Sequence, residues 1–551
     1  MRRLTASELR EAYLSFFESK GHVRLPGSSL IPKGDPTLLL TGAGMVQFKP
    51  YFLGRAEPPH PRVTTCQRCV RTADIERVGI TARHGTFFEM LGNFSFGDYF
   101  KKEAIEWGWE FVTRVLEIDP ELLWASIYQD DDEAFAIWRE RVGLPAERIV
   151  RLGKEDNFWE IGVGPCGPSS EIHIDRGPEY GCGKPTCKPG CDCGRFLEFW
   201  NLVFIQFHKD EQGQYHPLKR TGIDTGMGLE RMLAILQGVE TIFETDEVGK
   251  ILDGAGAILG RPYGQEETTD RAARIMVDHG RSATFMAMDG IMPGNEGRGY
   301  VMRRLIRRAS RHAWLAGVRR PFWKALANGV ISAMGHAYPE LVQRRDLILR
   351  VLEVEEHRFL QTLEAGLDVL GDMLETVQRG RKLSGDHAFR LYDTYGFPLE
   401  LTREIAAEKG VTVDEDGFAA ALEAQRERAR AARRAYGYLG TGTEELGEAL
   451  TRLRSEFVGY GQGTATARVE AVLQGSERVS WAEQGTDALV VLDRTPFYPE
   501  GGGQVADTGR LAWSGGRASV LDVQRPLAGV IVHRVRIEEG RLQEGDTVEA
   551  A

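Results

Sequence analysis

Two long runs of aromatic and β-branched residues constrain this chain most: FFEMLGNFSFGDYF at 87–100 and FWNLVFIQF at 199–207. Each reads as a buried strand, so each needs a sheet around it. Between residue 1 and about 240 such strands alternate with helical patterns and glycine turns. Leu9, Tyr13, Phe16 and Phe17 recur at helical spacing, and Thr5 stands three residues before Glu8, where the pair can close a capping box. From 241 to 450 the pattern shifts to long helical segments such as 347–374, which marks an α-helical domain. After a glycine-rich joint at 436–447, short alternating strands such as 488–493 and 530–535 point to a small β domain over 455–551. The chain stops inside what reads as another strand, so this domain reads as incomplete and the chain as a piece of a longer protein.

At 551 residues, 42% hydrophobic and 27% charged, the chain has the composition of a globular protein of several domains, unlike a disordered or collagenous one. Glu8, Glu11 and Glu18 interrupt the N-terminus where a signal peptide needs an apolar stretch. The apolar runs at 38–40 and 488–492 fall far short of the roughly 18–20 residues that span a bilayer. We therefore expect a cytoplasmic protein with no membrane partner. The net charge of −11 repels nucleic acid, so such a partner requires a local basic surface. Residues 297–320, GRGYVMRRLIRRASRHAWLAGVRR, hold eight arginines and no acid. Arg303, Arg304, Arg307, Arg308 and Arg311 fall close to one helical face, and that face is the expected electrostatic surface.

Seven cysteines are too few for a disulfide framework. Four of them, Cys182, Cys187, Cys191 and Cys193, lie in the insertion GCGKPTCKPGCDCG near 180–195, where glycines and prolines permit tight folding around one ion. Four thiolates complement a structural tetrahedral zinc site, with free thiols on an exposed insertion as the alternative.

Three segments read as a nucleotide site. An arginine at the end of QRCVR (67–71) can neutralise a phosphate, and RHGTFFEM (83–90) returns an aromatic and a second cation beside it. In IDTGMGLER (223–231), Gly226 and Gly228 let backbone approach a ligand, and Arg231 can lie flat on a purine. No GxxxxGK[ST] occurs, so this is not a P-loop. An amino acid's α-ammonium needs a fixed carboxylate, and Asp224 stands directly before this glycine turn.

Together these words resemble the motifs of class II aminoacyl-tRNA synthetases, and among them those specific for alanine. The likeness extends in order through DPTLLLTGAGMVQFK (35–49), DNFWEIGVGPCGPSSEI (156–172), FWNLVFIQF, NEGRGYVMRRLIRRA (295–309), LYDTYGFPLELT (391–402) and TPFYPEGGGQVADTG (495–509). The resemblance implies an α+β fold: an antiparallel sheet with flanking helices that cradles ATP, a helical tRNA-recognition domain, and a β-barrel-like domain ahead of an editing domain. It implies Arg71 on the α-phosphate, adenine between Phe88 and Arg231, His84 near the distal phosphates, and Mg²⁺ bridging the phosphates. Met45, Trp159 and Val203 would form the slot for a one-methyl side chain. Asn295 and Asp393 would read a wobble G·U pair in the acceptor stem of tRNA(Ala).

An alanine slot discriminates poorly against glycine and serine, since one methyl or hydroxyl changes binding by only about 1–3 kcal/mol. The family's editing site carries HxxxH, and none of the twelve histidines here has a partner four residues away. The expectation is a monomeric fragment that activates and charges without clearing seryl-tRNA. Two other readings remain: a non-catalytic tRNA-binding relative with a vestigial site, and a zinc-dependent nucleic-acid module.

Overall fold

The capping box at Thr5 forms, with the Thr5 side chain accepting the Glu8 N–H and the Glu8 carboxylate accepting the Thr5 N–H at 2.8 Å. It opens helix α1, Ala6–Ser19, whose Leu9, Tyr13 and Phe17 are buried. The computed structural model describes residues 1–551 except 34, 36, 37, 74, 82, 83, 378–380, 436–452, 460–462, 475, 476, 500–505 and 528. The joint read at 436–447 lies outside the described residues, as do Arg83 and parts of the words at 35–49 and 495–509.

Nine strands build one sheet: β1 (Val23–Arg24), β2 (Arg62–Val70), β3 (Phe87–Phe96), β4 (Leu123–Tyr128), β5 (Ile149–Leu152), β6 (Phe158–Trp159), β7 (Gly164–Asp175), β8 (Phe196–Lys209) and β9 (Tyr215–Gly228). Their order is β1-β2-β3-β9-β8-β7-β4-β5, with β6 paired to β7. Every pairing from β2 across to β4 is antiparallel, and only the outer pairs β1–β2 and β4–β5 are parallel. The two aromatic runs are β3 and β8, which flank β9 at the centre. Side chains alternate between faces along a strand. Leu91, Trp200, Leu202, Ile223 and Met227 go to a core shared with α1 and with helix α2, Leu229–Gln237. Phe88, Met90, Asn201, Val203, Asp224 and Gly226 take the opposite face.

The helical region follows with α3 (Glu267–Met288), α4 (Gly297–Leu315), α5 (Arg345–Thr376), α6 (Gly385–Tyr395) and α7 (Leu399–Glu408). Residues on both sides of position 240 share one core, in which Leu30, Ile75 and Phe87 meet Ile275, Met276 and Phe285 of α3. Met1–Glu415 accordingly forms one compact unit and Asp416–Ala551 a second.

Helix α4 forms where the sequence places it, but its arginines turn inward. Arg307 and Glu355 of α5 pair at 2.6 Å, and Arg303 donates to the same carboxylate at 3.1 Å. Arg308 binds Glu404 of α7 at 3.0 Å, Arg311 binds Glu408 at 2.8 Å, and Arg304 binds Glu76 at 2.7 Å. Arg307 is 8% exposed and Arg308 3%. Arg303, Arg304, Arg307 and Arg308, read from sequence as a basic surface for tRNA phosphates, are each paired with a carboxylate from a distant element. The stretch holds no acid of its own because its acids arrive through tertiary packing.

In the second unit six strands close a ring. Ala465–Gln474 pairs with Asp487–Leu492, then come Val530–Glu539, Gly516–Leu527, Gly509–Trp513 and Thr547–Ala550, which returns to Ala465–Gln474. The expected barrel-like domain is present, and the ring is closed where the sequence reading left it incomplete. The closing element is Thr547–Ala550, whose Glu549 and Ala550 pair on both sides. His533 belongs to this core, with Nε2 on the Thr495 hydroxyl at 2.7 Å and Nδ1 on the Val490 carbonyl at 3.1 Å. Among the described residues no helix is long and apolar enough to cross a membrane.

Candidate active site

The open face of the sheet carries a cavity of about 280 Å³. Register brings its walls together: Cys69 of β2 pairs with Phe88 of β3, Met90 with Gly228, Asn201 with Gly226, and Val203 with Asp224. Arg71, His84, Phe88, Trp159, Val203, Asp224, Gly226, Gly228 and Arg231 all line it. Met45 does not. It is fully buried in the cluster that includes Val203 and that Trp159 packs against.

The hairpin positions the first cation. The Arg71 N–H donates to the Thr86 carbonyl at 2.9 Å, which extends the β2–β3 ladder by one rung. The Arg71 guanidinium donates through Nε to the Gly42 carbonyl at 2.9 Å and lies 5.0 Å from the Phe88 ring centroid. Across the cavity, Arg231 of α2 donates to the Glu198 backbone oxygen at 2.6 Å and to its carboxylate. The glycines that read as a turn are instead the last residues of β9, and Gly228 caps α2 directly. A Cβ on Gly226 would stand 2.8 Å from the Met90 sulfur, so glycine keeps this floor low.

Asp224 is 5% exposed, and among the described residues no hydrogen bond reaches its carboxylate. Burial pushes its pKa up to about 7, with Arg71 pulling the other way. A buried carboxyl raised in this way, in a cavity, is a candidate functional group. Four polar groups escaped the sequence reading: Glu171, Glu198, Asn201 and Glu230 also line the cavity. Asn201 Nδ2 donates to Glu171 at 2.8 Å. Burial raises the Glu171 pKa and repulsion from Glu198 adds to it. Glu171 lies on β7 and Glu198 and Asn201 on β8, where sequence alone does not say which face of the sheet a polar residue takes.

A family model described as tRNA synthetases class II (A) matches residues 8–551. The chain belongs to that family. It is 54% identical over 552 residues to an alanine–tRNA ligase of Thermoanaerobacter sp. (strain X514), covering 100% of this chain and 63% of the relative. To an alanine–tRNA ligase of Carboxydothermus hydrogenoformans it is 55% identical over 552 residues, covering 98% of this chain and 62% of the relative. The chain thus spans less than two thirds of the length of these curated relatives. Among solved structures, apo S. aureus histidyl-tRNA synthetase matches 44% of this chain at 12% identity and a TM-score of 0.27.

This class II chain carries its cysteine insertion between β7 and β8. The four sulfur atoms of Cys182, Cys187, Cys191 and Cys193 lie within 4.8 Å of one another, with Cys182–Cys191 at 3.7 Å and Cys187–Cys193 at 3.4 Å. Tetrahedral thiolates about 2.3 Å from zinc stand roughly 3.8 Å apart, so the cluster is compatible with that ion. Gly190, at φ +91, supplies the left-handed turn just before Cys191.

Proposed function

We propose that the chain activates L-alanine with ATP and transfers it to the 3′-terminal ribose of tRNA(Ala). The observation that carries this reading is the convergence of Arg71, Phe88, Asp224 and Arg231 on one cavity of a class II chain. Asp224 binds the α-ammonium, and Val203 with Trp159 forms the methyl slot, backed by Met45. The alanine carboxylate attacks the α-phosphorus in line and pyrophosphate leaves. The nucleophile is already an anion, so the step needs positioning and charge neutralisation rather than a general base. Arg71 serves the α-phosphate, His84 the distal phosphates, and adenine lies between Phe88 and Arg231. Glu171 and Glu198 are hard oxygen donors that repel each other, a pair that fits Mg²⁺. The ion supplies charge neutralisation on the phosphates when bound.

For the second half-reaction, Asn295 and Asp393 are both exposed. A chain of hydrogen bonds connects their surroundings: Arg303 donates to Asn295 and Glu355, while Arg307 donates to Glu355 and to the Gly396 carbonyl. With Arg303, Arg304, Arg307 and Arg308 committed to carboxylates, we assign recognition of the acceptor stem to Asn295 and Asp393 alone. Asn295→Ala and Asp393→Ala are expected to lower tRNA(Ala) charging by about tenfold or more each while alanine-dependent pyrophosphate exchange stays within about twofold. Equal loss of both activities would move these residues into the adenylation site and overturn the assignment.

The cysteine cluster is proposed to hold one structural Zn²⁺. Metal analysis of the purified chain is expected to find zinc, and Cys187→Ser with Cys191→Ser to lose it; a metal-free wild type ends the proposal. Aminoacylation of tRNA(Ala) by the chain tests the whole reading. A folded chain that binds tRNA yet neither activates nor charges would favour the non-catalytic alternative.

A further inference from the structure

We infer that Asp278, on α3 of the helical region, is a positioning residue for the nucleotide cavity and acts through the backbone of Thr86. This rests on the reading of that cavity as the ATP site. Asp278 is 1% exposed, and its Oδ1 accepts the Thr86 N–H at 2.6 Å. The Thr86 carbonyl in turn accepts the Arg71 N–H at 2.9 Å. One residue thus joins the two strands of the hairpin at the point where Arg71, His84, Gly85 and Phe88 enter the cavity. The approach is close: a Cβ on Gly85 would stand 3.1 Å from Asp278 Oδ1.

The carboxylate is itself held from behind. Asp278 Oδ2 meets His279 Nδ1 at 2.8 Å, and His279 Nε2 meets Arg308 Nη1 at 3.1 Å. A carboxylate only accepts and a guanidinium only donates, so His279 carries its proton on Nδ1 and accepts through Nε2. His279 is fully buried, and burial lowers its pKa to about 4, so this neutral tautomer persists at neutral pH. Arg308 is anchored on Glu404 of α7. Arg308 donates to His279, His279 to Asp278, and the Thr86 N–H to Asp278, which leaves neither carboxylate oxygen free to turn. This gives the buried Arg308 a task besides joining helices. It also gives α3, α4 and α7 a hold on the phosphate-facing hairpin.

A buried aspartate that only secured the fold would lower stability without choosing between substrates. Asp278 touches the hairpin, whereas Asp224 sits on β9 between Val203 of β8 and Phe94 of β3. The effect should therefore fall on ATP and spare alanine. In Asp278→Asn one oxygen is replaced by a donor that must face either the Thr86 N–H or the His279 N–H, so one bond is lost whichever way the amide turns.

The decisive experiment measures ATP affinity of the intact chain by calorimetric titration, with KM values for ATP and alanine from pyrophosphate exchange. Asp278→Asn is expected to weaken ATP about tenfold or more and to leave the alanine KM within about twofold. Unchanged ATP affinity, or equal rises for both substrates, overturns the inference. If Asp278→Asn does not fold, the His279 pair decides. His279→Asn retains a donor near the Nδ1 position and should bind ATP close to wild type, whereas His279→Ala should bind it several-fold more weakly, on the order of one lost hydrogen bond. Equal ATP affinity in those two variants overturns the inference as well. A wild type that binds ATP without exchange overturns only the enzymatic reading, and one that binds no ATP overturns both.

Discussion

Asp224→Asn is expected to raise the alanine KM in ATP–pyrophosphate exchange by about 10²-fold or more. The side chain keeps its size, so the loss isolates the charge. A buried carboxylate that meets an ammonium forms a fully desolvated pair, and removing one partner of such a pair costs about 2–5 kcal/mol. The same residue fixes a pH dependence. Burial holds the free carboxyl near pKa 7, and alanine's ammonium binds only the ionised form, so proton and substrate compete. Alanine affinity is then present above about pH 7 and lost as pH falls through it, by about tenfold per unit well below. Asp224→Asn should abolish this component of the profile. Activity near wild type in the variant, or the same acid limb in both proteins, would refute the assignment.

Glu355→Gln is expected to destabilise the first compact unit by about 3–5 kcal/mol. Glu355 is 2% exposed and accepts from Arg303 and Arg307 together, so neutralising it leaves two guanidinium groups in a dry interface. Thermal or urea unfolding of the wild type and the variant measures the effect. Arg403→Ala makes the comparison, since its pair with Glu76 is about 40% exposed on both sides and exposed pairs contribute about 0–1 kcal/mol. If α4 were an open phosphate-binding face, Glu355→Gln would leave stability unchanged and strengthen tRNA binding. Equal unfolding transitions for Glu355→Gln and wild type would restore that view.

The two outcomes show where sequence was legible. The strands were, because FFEMLGNFSF and FWNLVFIQF have no other comfortable conformation, and the adjacency of Arg71 and Phe88 was, because a hairpin puts the end of one strand beside the start of the next. Helix α4 was legible as a helix but not in its orientation. Its neutralising partners Glu355, Glu404 and Glu408 lie 48–97 residues away in the pairs they make, beyond any window of local charge counting. Gly226 and Gly228 were read as a turn, but β9 runs into α2 without one. Glu171, Glu198 and Asn201 were missed since only strand register assigns a polar residue to one face of a sheet. Asp278 and His279 were silent for the same reason: a buried hydrogen-bond chain has no period.

The most direct test of the account is ATP–pyrophosphate exchange by the purified chain with alanine, glycine or serine and no tRNA. The account predicts fast exchange with alanine and slower exchange with the other two. No exchange with any amino acid, from a folded chain that binds tRNA, would contradict it.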